Sequence, residues 1–239
     1  MVGIGGEKLW WCPSRDPNFG ELSVTDLSGN GRHGVFQSMG SSAWITDTLF
    51  SGSRAISLDG IANFISSSYA RPSITQFSIS IWVKRPSNAF LDFHDLPNTG
   101  RAFGFGFYPF AAYCELGVGS QYSQIIITDT NTWRHYCWIY DGTKSSNSDR
   151  YLLFVDGTQR TITFPTPTSS SVGASVQGFR LGRSYITTSQ YSKIIFDDAR
   201  LFERAITPAE VIALSTRRAY EPLVAVNIFT SAHLAVLGV

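Results

Sequence analysis

Residues 133–159 read WRHYCWIYDG, then the polar run TKSSNSDR, then YLLFVDGTQ. Both flanks are rich in aromatic and β-branched residues, and each closes on Asp-Gly, which is the signature of strands ended by turns. At Asp141-Gly142 and again at Asp156-Gly157 the glycine is expected to supply a positive φ at no steric cost. The stretch therefore predicts a three-stranded meander with one long polar loop (Thr143 to Arg150) and one tight hairpin before Thr158–Thr163. Along the first strand, Tyr136, Trp138 and Tyr140 share one face, and His135, Cys137 and Ile139 share the other. Neither face is cleanly polar. Both should be covered, as in the middle of a two-sheet sandwich.

Working outward, the same signals recur. Leu9–Cys12 reads as a short first strand, and Val24–Gly34, VTDLSGNGRHG, as a compact turn forced by its glycines, Ser and Asn. Val35-Phe36 enters the next strand. Ala55–Ile65 reads as an apolar strand, an Asp-Gly turn and a second short strand. Phe77–Lys84 alternates strictly, with Phe77, Ile79, Ile81 and Val83 against Ser78, Ser80, Trp82 and Lys84. Residues 85–101 read as a long loop. Ala102–Pro109, Tyr113–Val118, Gln124–Thr128, Gly178–Gly182 and Ile194–Phe202 read as further strands, with Phe164–Ser175 a loop and Tyr185–Tyr191 a polar connection. Thr207 with Glu210 is a capping box with Pro208 at the first helical position, opening a helix to about Arg218.

Set side by side, these blocks resemble the laminin-G-like, concanavalin A-like jelly rolls. That family writes Trp-His-His-Val-Ala-Val-Thr-Tyr-Asp-Gly followed by Leu-Tyr-Val-Asp-Gly. It carries Asp-Leu-Ser-Gly-Asn-Gly-x-His-Gly after its first strand and Phe-Thr-Ile-Ser-x-Trp-Val-Lys in the middle. It closes with Asp-Asp-Val-Arg-Ile-Tyr-x-Arg-Ala-Leu-Ser-x-x-Glu. The resemblance runs in order from Leu9 to Arg218 and implies an all-β, two-sheet antiparallel jelly-roll sandwich with one short C-terminal helix. The expected organisation is an arm at 1–8, the jelly roll at 9–218 and an apolar tail at 219–239.

Composition narrows the chemistry. The 239 residues are 43% hydrophobic and carry a formal net charge of +1, so nothing in the balance points to nucleic acid or an anionic membrane. Cys12, Cys114 and Cys137 lack the spacing of a zinc site or a disulfide framework and read as buried thiols. The N-terminus lacks the pattern of a signal peptide, and no stretch reaches the ~20 apolar residues of a membrane helix. The expectation is a chain made in a host cytoplasm. No Glu has Asp two residues later, as β-glucan-cleaving relatives of the sandwich require, and no Gly-x-Ser-x-Gly elbow occurs. The reading is no enzyme.

The remaining candidates come mostly from the resemblance. It implies that the chain ends pair in space, where some relatives bind calcium, so Asp26 and Asp198 are the candidate metal ligands. The alternative is that Asp26 caps its turn and Asp197/Asp198 end a strand. Sugar binding is the family's commonest activity, and rings stack on pyranose faces. The candidate rings are Trp44, Phe90, Tyr122, Tyr185 and Tyr191; the alternative is that these aromatics cover the edges of the sandwich. The tail after Arg218 has Glu221 as its one charged side chain if His233 is neutral. Leu223, Val226, Ile228, Phe229, Leu234 and Leu237 are expected to meet a partner, a second copy or a shell or tail protein; the alternative is that the tail packs back on its own sandwich. Lone jelly rolls of this kind occur in tailed-phage virions. The leading expectation is thus a non-catalytic virion protein, a capsid decoration or tail appendage. The alternatives are a carbohydrate-binding module for host glycans and a glycoside hydrolase with an unrecognised site.

Overall fold

The computed structural model describes residues 4–46, 54–85, 91–97, 103–108, 111–116, 125–126, 131–162, 169–185 and 189–216. The strands are β1 (Glu7–Trp11), β2 (Ser23–Val24), β3 (Gly34–Gln37), β4 (Trp44–Ile45), β5 (Ala55–Asp59), β6 (Phe64–Ser66), β7 (Gln76–Lys84) and β8 (Leu91–Pro97). They continue with β9 (Phe103–Tyr108), β10 (Ala111–Leu116), β11 (Ile125–Ile126), β12 (Trp133–Asp141), β13 (Tyr151–Val155), β14 (Thr158–Arg160), β15 (Ser175–Leu181) and β16 (Lys193–Phe202). The helices are α1 (Asn147–Arg150) and α2 (Pro208–Thr216).

Two eight-stranded antiparallel sheets result. The first runs β14-β13-β12-β7-β16-β5-β4, with β1 also on β16, and the second runs β11-β10-β9-β8-β15-β6-β3-β2. The expected jelly-roll sandwich is present. The meander of 133–160 forms one edge of the first sheet. Strands β5 and β6, separated by one Asp-Gly turn, lie in different sheets, so this turn carries the chain across the sandwich.

Alternation assigns the faces as the sequence predicts. Phe77, Ile79, Ile81 and Val83 of β7, with Tyr136, Trp138 and Tyr140 of β12, enter the core between the sheets. The opposite face of the first sheet is also covered: Cys137, Ile139, Phe154 and Phe202 pack with Ile206 and with Val211 and Leu214 of α2. Burying an aliphatic side chain of this size contributes about 1.5–3 kcal/mol, so α2 is held mainly by its two core residues.

Three expectations are corrected. Residues 91–97, read as part of a loop, form β8, paired to β9 and β15. The polar run before Tyr151 contains a helical turn, α1, capped by Ser146, whose hydroxyl accepts from Asp149 N. Gly142 does not take a positive φ; a Cβ there would lie 2.0 Å from the Ser170 carbonyl oxygen, so close backbone approach requires the glycine. The other Asp-Gly behaves as expected. Asp156 and Gly157 have φ of 51° and 77°, the two left-handed residues of a type I′ hairpin.

The capping box forms reciprocally. Glu210 N donates to Thr207 Oγ1 at 3.3 Å and Thr207 N donates to Glu210 Oε2 at 2.7 Å. Arg204 completes it with hydrogen bonds to both Glu210 oxygens at 2.6 and 3.0 Å, and these pull the Glu210 carboxyl down to about 2. Replacing Thr207 by Ala should lower unfolding free energy by about 1 kcal/mol, read as a lower urea midpoint at unchanged slope. An unmoved midpoint would mean that the hydroxyl contributes no cap.

Candidate functional site

Two clusters lie outside the apolar core. The first ties together the first and last strands. Strand β16 breaks register with β7 between Asp197 and Arg200, and Asp198 sits at φ 49°, a bulge in a central strand. Before the bulge Ile194 and Phe196 face the core; after it Ala199 and Leu201 do. The bulge resets the alternation and leaves both aspartates off the core. Arg200 is fully buried, donating to Asp198 through Nε at 2.8 Å and Nη2 at 3.0 Å and to Glu7 through Nη1 at 3.0 Å. Its guanidinium lies 4.1 Å from the Trp10 ring centroid, and Trp10 Nε1 donates to Asp198 at 2.6 Å.

The two proposed metal ligands, Asp26 and Asp198, do converge here, one on each side of Trp10. Yet their oxygens are taken by donors. Asp26 accepts from Trp10 N, Ser28 N, Ser28 Oγ and Arg32 N at 2.8–3.0 Å. Asp198 accepts from Trp10 and Arg200. Calcium needs several oxygen ligands free of such donors. Among the described residues no group of three or more His, Cys, Asp or Glu side chains is placed to hold a metal. The residues present do not fit a calcium site; Asp26 caps its turn, and Asp198 pairs a buried cation.

Burial shapes the titration of this seam. Burial pushes Asp198 upward, but the Arg200 charge and the hydrogen bonds from Arg200 and Trp10 hold it below the usual carboxylate range. Burial and the neighbouring Asp198 raise Asp197 to about 6. Burial lowers His135 to about 4. Burial, Asp197 and Asp198 push the Cys12 thiol well up, so it is a protonated, inert thiol. Cys137 is likewise buried and free.

The second cluster lies on the outer face of the second sheet. Phe179 and Leu181 of β15 point into the core, so Arg180 between them points out. Register sets Arg180 beside Ser66 of β6, and Ser66 beside Val35 of β3. The described parts of the β15–β16 connection, 182–185 and 189–192, fold back over this face. Arg183 bridges to Tyr191, and Tyr185 Oη donates to the Gly178 carbonyl at 2.5 Å. The Arg180 guanidinium lies 4.0 Å from the Tyr185 centroid and 5.4 Å from that of Phe64. Arg183 lies 5.2 Å from Phe64 and 5.4 Å from Tyr191. The chain of contacts Tyr185–Arg180–Phe64–Arg183–Tyr191 is a cation–π ladder in which two cations share one ring.

Of the rings expected to bind sugar, Tyr185 and Tyr191 are therefore brought together, both half-buried. Trp44 is not available: it is 6% exposed, packed against Phe19 and Phe36, with its indole N–H donated to the Glu21 carbonyl. Phe90 and Tyr122 lie outside the described residues, as do the tail residues Leu223, Val226, Ile228, Phe229, Leu234 and Leu237. Sequence reading missed Arg180, Arg183 and Phe64. Alternation along GFRLG would have put Arg180 on the outer face, but nothing local brings Phe64 to it.

Residues 59–212 match the model of a concanavalin A-like lectin/glucanases family, the third laminin G group, and the chain belongs to that family. No curated protein matches the chain in sequence. Among solved structures it is similar to the binding domain of botulinum neurotoxin serotype G, at 15% identity and TM-score 0.60 over 87% of this chain and 50% of that one. A type C botulinum neurotoxin, which enters cells through interaction with two ganglioside molecules, matches at 11% identity and TM-score 0.59, over 90% of this chain and 52% of that one. A Trypanosoma rangeli sialidase in complex with sialic acid matches at 10% identity and TM-score 0.60, over 90% of this chain and 33% of that one. The chain thus spans about half the length of the toxin binding domains and a third of the sialidase.

The buried seam generates a pH prediction. Asp197 takes a proton more readily folded than unfolded, so its contribution to stability is present at low pH and is lost as pH rises from 3.8 to about 6. His135 holds its proton less readily folded than unfolded, so its contribution is present above 6.5 and is lost as pH falls towards about 4. Glu210 enters only below about 4.5, its ordinary value. Between about pH 4.5 and 6 the two slopes oppose one another. Asp197→Asn should leave a urea midpoint that rises with pH across this window, and His135→Gln one that falls. Two variants with the slope of the parent chain would contradict the assignment.

Proposed function

We propose that this concanavalin A-like domain is a non-catalytic recognition module that binds glycan on the outer face of its second sheet, around Arg180, Arg183, Tyr185 and Tyr191. The observation that carries the reading is the ladder itself. Two half-buried rings from one connection and two half-buried guanidiniums converge over the buried Phe64 of a neighbouring strand, the mixture of aromatic surface and directional donors that sugars require. The binding-domain character of the toxin relatives supports it at the level of the fold. The non-catalytic part is supported by the seam: among the described residues the one carboxylate whose pKa is raised, Asp197, is fully buried.

The setting we propose follows the sequence resemblance: a tailed-phage virion, with the domain serving as a decoration or appendage protein. A glycan-reading surface that does not degrade its ligand suits attachment to a host. Partner subunits would be met through the apolar tail, which lies outside the described residues.

A glycan array probed with the whole chain tests the reading. The chain should retain at least one class of saccharide, and Tyr185→Ala and Tyr191→Ala should each weaken the best titrated binder roughly tenfold, the loss of one cation–π or stacking contact. Circular dichroism should be unchanged. An array without retained glycans, or alanine variants that bind like the parent, would refute this site.

A further inference from the structure

The ladder differs from the carboxylate-paired arginines in what faces its cations. Arg200 holds Asp198 and Glu7, Arg204 holds Glu210, and Arg134 holds Asp156. Among the described residues the Arg180 side chain makes one hydrogen bond, from Nη2 to the neutral Gln177 Oε1 at 3.4 Å. Arg183 has no acceptor among the described residues, and its Nε is buried without one. Neither is paired with a carboxylate among the described residues. Two like charges thus share the Phe64 ring on the outer face of the second sheet, where an anion would find both cations without a carboxylate partner among the described residues.

The rings also constrain the ligand. A guanidinium stacked on a ring face has its plane fixed and its edge N–H groups directed sideways, as the two-pronged recognition of an oxyanion requires. The same stacking takes up ring face that an apolar sugar face would otherwise use. The Arg180 guanidinium carbon lies 4.0 Å from the Tyr185 centroid and so covers ring face, which favours donors over sugar stacking as the means of recognition. An extended polyanion is disfavoured because the chain has a formal net charge of only +1 and scattered basic residues.

We infer that this surface takes an anionic saccharide, with a carboxylate or sulfate of the sugar seated on Arg180 and Arg183. The inference rests on the glycan reading above and names the class of sugar. Isothermal titration of the whole chain with matched pairs tests it: a sialoside as free acid and as methyl ester, and a sulfated disaccharide with its desulfated parent. The charged member of at least one pair should bind roughly ten- to hundredfold tighter, as charge-assisted hydrogen bonds to a fixed fork would give. Which pair shows the difference distinguishes carboxylate from sulfate. Arg180→Gln and Arg183→Gln should each abolish most of the preference, and Arg183→Lys should restore only part of it. The comparison of acid with ester uses the parent chain and does not depend on how the variants fold. Equal binding of charged and neutral members, lost in Tyr191→Ala, would overturn the anionic class and leave the glycan reading standing. No binding of any pair, together with an array lacking retained glycans, would overturn both. Tighter binding of a single-stranded oligonucleotide would also overturn the inference.

Discussion

A guanidinium with no exposure to water must be neutralised and hydrogen-bonded where it lies, because the cost of an unpaired buried charge is several kcal/mol. Arg200 imposes that demand on this sandwich. Its partners come from both ends of the domain: Asp198 two residues away, across a bulge, and Glu7 of the first strand. Trp10 covers the guanidinium and donates to the same aspartate. To satisfy one cation, β1 must lie along the second half of β16 while β5 takes the first half. The seam thus fixes β16, a central strand of the first sheet. The residues just before that strand carry Tyr191, which bridges back to Arg183, two residues past the end of β15.

Two of the ways in which this structure holds its arginines contrast. In the seam and at the capping box the cations are spent on carboxylates and hold secondary structure together. On the outer face of the second sheet they are held by aromatic rings and leave donors over. The first arrangement is a structural tie. The second is the surface that we propose takes the ligand; holding the guanidiniums in place beforehand reduces the entropy that binding must remove.

What the sequence revealed follows from how local each signal is. The alternation of Phe77–Lys84, the Asp156-Gly157 hairpin and the Thr207–Glu210 box are set by residues a few positions apart, and each appears as read. Strand β8 was illegible because its hydrogen bonds go to β9 and to the distant β15, and its residues show no clean alternation. Gly142 was legible as a glycine position but not for its reason, since the Ser170 carbonyl that excludes a Cβ comes from another loop. Trp44 looked like an open ring because nothing in its neighbourhood announces Phe19 and Phe36 packed around it. The candidate site was half visible. Tyr185 and Tyr191 stand out in a polar connection, whereas the ladder needs Phe64, a residue from another strand.

The central claim is that the seam is structural and the ladder is the ligand-binding surface. The most direct test is an NMR titration that follows arginine Nε–H resonances as an anionic saccharide is added. The account predicts that Arg180 and Arg183 move together with the ring protons of Tyr185 and Tyr191, while Arg200 and Arg204 stay still. Shifts centred instead on Arg200 and Trp10, or on the exposed Phe19 under Arg54, would contradict it.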